Sequence, residues 1–338
     1  MSTKAERERA ARIEARKKEA EKKNKERDEK KAKLKKRLDD QKAYFLKERV
    51  RMLDGAIIVE VLNTVQAKLA QAAGFNAICP FNTTGKTSIP TYANLVTSDP
   101  RMMRDMMDSV LIPVIARVRT GHVIEAKMAE HLGAGIIDEA DYGATTSGNS
   151  PMAKGGFGMP VMSSVTNLKE CFQRIDEGAS MLRTKEMANR NFSHTISMIK
   201  SIYKDLKSMD TEAGKTNKAT LIGTFKDPLT AVILEAAILS GKLPVPLFAC
   251  GAVCTPNDVA MAKKMGCGVI ISNIAFKADN PRRRLKELVR ASKQFGDIGE
   301  MVKMSTGTNE RVGGASAGGA PTGLATTVPG AATVAKPE

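Results

Sequence analysis

Eight short apolar runs, each followed by a longer stretch of different periodicity, set the tightest limit on how this chain can fold. They are Ala56–Val61, Asn76–Cys79, Ile112–Val118, Gly135–Asp138, Met159–Ser163, Ala179–Arg183, Val245–Ala249 and Gly268–Ser272. Most are continuously apolar rather than alternating, as strands are when both faces are buried. Helical patterns follow near 63–73, 100–110, 122–132, 167–177, 192–208, 256–265 and 281–295. The fourth connection is poorly defined, and the 213–242 stretch adds helix before the seventh strand. Strands and helices in this order fit an α/β fold, a (β/α)8 TIM barrel of about 250 residues. An open doubly wound sheet is the alternative that the pattern leaves.

The core must be aliphatic and Met-rich, because 42% of the 338 residues are hydrophobic but only 4% are aromatic and Trp is absent. No run of about 18 apolar residues exists, so no transmembrane segment is expected. The chain is charged from Lys4 onward and lacks the apolar region of a secretory signal. Five cysteines, Cys79, Cys171, Cys250, Cys254 and Cys267, suggest reduced thiols and a cytoplasmic setting. Cys250 and Cys254 have no second Cys/His pair at a useful spacing, so no metal site is expected.

The net charge of +16 is concentrated at one end. Residues 4–43 offer almost no apolar positions beyond Ile13, Leu34 and Leu38, so they cannot bury a face. They carry Glu-to-Lys/Arg pairs four apart, among them Glu8–Arg12, Glu14–Lys18 and Glu26–Lys30. Each such pair adds about 0.2–0.5 kcal/mol to an isolated helix. Residues 1–46 therefore read as a long solvated helical arm or as a charged, partly disordered one. A barrel domain over 47–305 follows, and the Gly/Ala/Thr/Pro-rich 306–338 reads as a disordered tail.

Gly85-Lys86-Thr87 suggests a Walker A loop, but Pro80 stands where its first glycine is needed. His122, His131 and His194 have no nucleophile context and read as structural or surface residues. In a barrel, chemistry sits at the C-terminal ends of strands. Those positions hold Glu60, Arg117, Asp138 with Glu139, Arg183 with Lys185, Gly251, and Ser272 with Asn273. They could form a site, or an ion-pair network closing the barrel mouth.

Several segments resemble the synthase subunit of ribose-5-phosphate-dependent pyridoxal 5′-phosphate synthase. They are Asn63-Thr-Val-Gln-Ala-Lys68, Ile112-Pro-Val-Ile-Ala-Arg-Val-Arg-Thr-Gly-His122, Ile137-Asp-Glu139 and Glu177-Gly-Ala-Ser-Met-Leu-Arg-Thr-Lys185. Phe248-Ala-Cys-Gly251, Thr255-Pro256 and Phe276-Lys-Ala-Asp-Asn-Pro281 extend the likeness. The resemblance implies a barrel that assembles into hexameric or dodecameric rings. It also implies synthesis of the vitamin B6 cofactor from a pentose phosphate, a triose phosphate and ammonia supplied by a glutaminase partner. No cofactor is required on this resemblance; a pentose phosphate, a triose phosphate or pyridoxal phosphate could be residual ligands.

The same resemblance sets Lys185 on the family's second lysine and puts Arg183 and Asp138 on matching positions. Glu60 stands in place of an aspartate, and Arg117 in place of the lysine that forms a Schiff base with the sugar. An imine needs a neutral amine, which a guanidinium cannot supply. Glycine-rich phosphate loops are also altered. The turn after Lys185 reads Glu186-Met-Ala-Asn-Arg-Asn191, Ala252 follows Gly251, Ser272-Asn-Ile274 replaces Gly-Ser-Gly, and Phe81–Val96 lacks the family's usual sequence. Gly251, Ser272 and Asn273 would be the remnants of the phosphate site.

The expectation is a non-catalytic homologue with an assembly, scaffolding or regulatory role, alone or with active paralogues. The alternative is an active synthase, or an altered carbonyl lyase, that uses Lys185 as its Schiff-base lysine. The basic arm could engage an acidic polymer, either cytoskeletal or nucleic acid, or an anionic membrane. Its presence puts a glutaminase partnership in doubt, because that region of the family helps dock the glutaminase.

Overall fold

The computed structural model describes residues 53–81, 99–140, 151–186 and 192–306, together with Glu14, Lys25, Asp28 and Glu29 of the arm. Those four arm positions are helical and exposed. The rest of the arm, the Gly85-Lys86-Thr87 tripeptide, most of Phe81–Val96, the turn beyond Glu186 and the tail beyond Thr306 lie outside the described residues.

The strands are β1 (Ile57–Val61), β2 (Ala77–Pro80), β3 (Ile115–Arg119), β4 (Ile136–Ala140), β5 (Val161–Val165), β6 (Met181–Thr184), β7 (Leu247–Cys250) and β8 (Gly268–Ile271). All pair in parallel, in the order β2-β1-β8-β7-β6-β5-β4-β3. Between β2 and β3 a single bridge joins Ile78 to Val114, so the sheet forms a nearly closed (β/α)8 TIM barrel with its seam there.

The helices are α1 (Thr64–Ala73), α2 (Pro100–Ser109), α3 (Val123–Leu132), α4 (Leu168–Asp176), α5 (Phe192–Ser208), α6 (Lys215–Ile222), α7 (Pro228–Ser240), α8 (Pro256–Lys264), α9 (Pro281–Gln294) and α10 (Ile298–Ser305). Local chemistry explains most starts. Asn63, Asp99, Asn167, Asp227, Thr255, Asn280 and Asp297 each accept a first-turn N–H, and Thr255 forms a reciprocal capping box with Asp258. α6 and α7 occupy the extra helical stretch before β7, whereas α10 has no counterpart among the sequence expectations.

Among the strands that begin later than the apolar runs suggest, three do so because of a proline. Pro113, Pro160 and Pro246 sit inside the expected strands at 112–118, 159–163 and 245–249. Each carbonyl accepts a ladder bond, from Ile78 (3.0 Å), Ile137 (3.1 Å) and Leu182 (2.9 Å). Proline has no N–H to return, so regular pairing starts at Ile115, Val161 and Leu247.

Side chains alternate across each strand. Outward residues such as Val59, Val61, Ile137, Leu182 and Val269 pack under the helices. Inward residues Ile58, Ile115, Ile136, Met162, Met181, Phe248 and Ile270 fill the barrel as a dry layer. β8 opens with Gly268 because a Cβ there would overlap the Phe248 ring. The next inward layer toward the C-terminal ends is polar, and it forms the mouth. No helix among the described residues is long and apolar enough to cross a membrane.

Candidate functional site

β1, β3, β4 and β6 deliver Glu60, Arg117, Asp138 and Arg183 to the mouth as inward residues of their strands. All four are buried, Asp138 and Arg183 completely. Arg117 Nη1 donates to Glu60 Oε1 at 2.8 Å, and its Nε donates to Asp138 Oδ2 at 3.0 Å. Arg183 Nε donates to Asp138 Oδ1 at 2.8 Å and to Oδ2 at 3.0 Å. Asp138 is thus the hinge of the network, held between two guanidinium groups. The Arg117 guanidinium also lies 5.7 Å from the centre of the Phe81 ring.

Two groups outside the expected site complete the mouth. Cys250 ends β7 two residues after inward-facing Phe248, and its thiol donates to Glu186 Oε1 at 2.9 Å. Glu186 is buried, with Oε1 4.0 Å from Arg117 Nη1. Burial and the nearby Glu186 carboxylate push the Cys250 thiol well above its ordinary range, so it stays protonated. Thr184 and Thr195 hydroxyls both donate to the Cys250 carbonyl, at 2.7 and 3.0 Å, and so fix the end of β7.

Gly251 and Ser272 line the small space beside this network, with Glu60, Glu186, Ala252 and Ile270; it is too tight to hold a water molecule. Asn273 is half-buried at the start of a 3-10 turn, Asn273–Lys277, and does not line that space. Lys185 is half-buried immediately after β6, and its N–H donates to the Val165 carbonyl at 2.9 Å. Ala252 adopts a left-handed backbone conformation with φ 56°, alone among the described non-glycine residues.

Glu139 shares a strand end with Asp138 but points the opposite way. It accepts from the N–H groups of Gly121 (3.0 Å) and Met152 (2.9 Å) and pairs with Lys154 at 2.8 Å. Lys154 has its ammonium fully buried and also meets Glu177 at 2.6 Å. This second network pins the segment before β5 to the outside of the barrel. His131 and His194 are exposed, and His122 lies 3.6 Å from Glu125 at the start of α3.

Of the residues singled out in the sequence, Glu60, Arg117, Asp138 and Arg183 form one cluster, with Gly251 and Ser272 at its edge. Period-two alternation from Phe248 would have found Cys250. Nothing periodic marks Glu186, which lies beyond its strand. The cluster's cations are guanidiniums, its anions are the Glu60, Asp138 and Glu186 carboxylates, and its Cys250 thiol is protonated.

A family model described as the SOR/SNZ family matches residues 44–250. The chain belongs to this family. Among its SOR/SNZ relatives, "Pyridoxal 5'-phosphate synthase subunit SNZ1" of Saccharomyces cerevisiae is 32% identical over 268 residues, covering 79% of this chain and 90% of that protein. "Pyridoxal 5'-phosphate synthase subunit PdxS" of Clostridium botulinum is 33% identical over 284 residues, covering 82% and 94%. "Pyridoxal 5'-phosphate synthase subunit PDX1.3" of Arabidopsis thaliana is 32% identical over 272 residues, covering 78% and 85%.

Proposed function

We propose that this SOR/SNZ chain is a non-catalytic homologue of the pyridoxal 5′-phosphate synthase subunit, with an assembly, scaffolding or regulatory role. The observation that carries this reading is the state of Arg117. It stands where the family resemblance expects the Schiff-base lysine, and its guanidinium is buried and committed to Glu60 and Asp138. A guanidinium in ion pairs of this kind stays charged and offers no lone pair to a sugar aldehyde. The tight mouth beside Gly251, Ala252 and Ser272 supports the same reading, since a phosphorylated sugar needs far more room. Incubating the purified chain with ribose 5-phosphate should give no imine-sized mass increase. An adduct would refute the proposal.

Lys185 favours a second reading. Half-buried immediately after β6, it keeps an amine at the place of the family's second lysine. An altered carbonyl reaction through it would give a borohydride-trapped adduct that disappears in Lys185→Ala.

The assembly role draws on exposed apolar side chains. Ile124 and Ile298 are each 73% exposed, with Met128 beside Ile124 on α3 and Val302 beside Ile298 on α10. Such faces suit burial against further copies in hexameric or dodecameric rings, with or without active paralogues. The basic arm would add salt-sensitive attraction for a cytoskeletal or nucleic-acid polymer. The arm takes the place of the region that would help dock a glutaminase, which counts against that partnership. Free thiols throughout suit a cytoplasmic setting. Light scattering of the whole chain, and of a variant lacking residues 1–45, separates ring formation from arm binding.

A further inference from the structure

The first residue beyond Lys185 turns its side chain back into the barrel. The Glu186 carboxylate accepts from the Cys250 thiol at 2.9 Å and lies 4.0 Å from the Arg117 guanidinium. It fills the space that Gly251, Ala252, Ile270 and Ser272 would otherwise leave at the strand ends. The Ser272 hydroxyl, only 5% exposed as a residue, has no hydrogen-bond partner among the described residues. The Arg117 guanidinium, the Cys250 thiol donor and the spare Ser272 hydroxyl, which lines the same space, make up the kind of set that recognises a small oxyanion. Here the anion in reach of that set belongs to the chain itself.

We propose that Glu186 is a built-in ligand: its carboxylate closes an oxyanion site at the barrel mouth that would otherwise take a small phosphate or phosphorylated sugar. This deepens, and rests on, the reading of the mouth as a site without turnover. Tethering gives the internal carboxylate an effective concentration that free ligands do not reach. Its charge, added to that of Glu60, also repels an incoming dianion across a few ångströms of poorly screened space. Removing the side chain frees the volume, the Arg117 face and the Cys250 donor together.

Calorimetric titration of the full chain with inorganic phosphate, and separately with ribose 5-phosphate, tests this. The wild type should show no saturable binding. Glu186→Ala should bind both anions at least about tenfold more tightly than the wild type. Glu186→Gln keeps the bulk and drops the charge, so it should fall between them; it carries the test alone if Glu186→Ala does not melt cooperatively. Phosphate binding by the wild type as tight as by the variants would overturn the inference. So would a folded pair of variants that binds neither anion, and that result would leave the non-catalytic reading intact. An imine on the wild type would instead overturn the non-catalytic reading.

Discussion

Arg117 on β3 reaches past β2 to pair with Glu60 on β1, Nη1 to Oε1 at 2.8 Å. The pair spans the seam of the barrel, where β2 and β3 share only the Ile78–Val114 bridge. Charge in the mouth therefore does mechanical work at the place where the backbone ladder is thinnest. Arg117→Met should leave two buried carboxylates short of a cation and cost about 3–5 kcal/mol. Urea unfolding measures the loss, and amide exchange should accelerate first at Ile78 and Cys79. Arg117→Lys keeps a charge but not the fork, and should cost less.

Ala252 offers a gain rather than a loss. An L-residue at φ 56° carries a steric penalty that glycine does not. Ala252→Gly should raise stability by about 0.5–1 kcal/mol after the added entropy of the unfolded chain is counted. A lower melting temperature would show that the Ala252 methyl contributes packing that outweighs its strain.

Much of this was legible in the sequence, and the illegible parts have physical causes. Apolar runs gave the barrel order, and the rule that barrel chemistry sits at the C-terminal ends of strands gathered Glu60, Arg117, Asp138 and Arg183 at one rim. Strand starts were blurred because Pro113, Pro160 and Pro246 are apolar yet lack the donor that regular pairing needs. Glu186 was named only as a missing glycine, since no pleat dictates the direction of a side chain beyond a strand end. Lys154 lies in a segment with no periodicity at all, and Glu139, next to Asp138 at the end of β4, points away from the mouth to meet it.

Inside the barrel, Gly268 and Phe248 form a matched pair, small against large. Gly268→Ala should force the ring aside and cost about 1–3 kcal/mol by overpacking. Phe248→Leu alone should also destabilise, by leaving a void. Combining the two should cost less than the sum of the separate losses, because the new methyl enters space the ring has left. Simple additivity in a double-mutant cycle would mean that the two sites do not share a volume.

Buried thiols set the alkaline behaviour. Burial pushes Cys79 and Cys267 from 9.0 up to about 12 each, against a smaller opposing pull from Arg117 on the first and Lys263 on the second. Between those values the folded chain keeps protons that the unfolded chain has released. Stability from these groups is thus fully present below pH 9 and declines as pH climbs toward 12, by about 1.4 kcal/mol per pH unit for each thiol. Urea midpoints measured from pH 8 to 10.5 should fall for the wild type. The Cys79→Ala/Cys267→Ala variant, starting from a lower baseline, should fall less steeply across the same interval. Parallel lines would show that other groups, and not these two thiols, govern the alkaline limb.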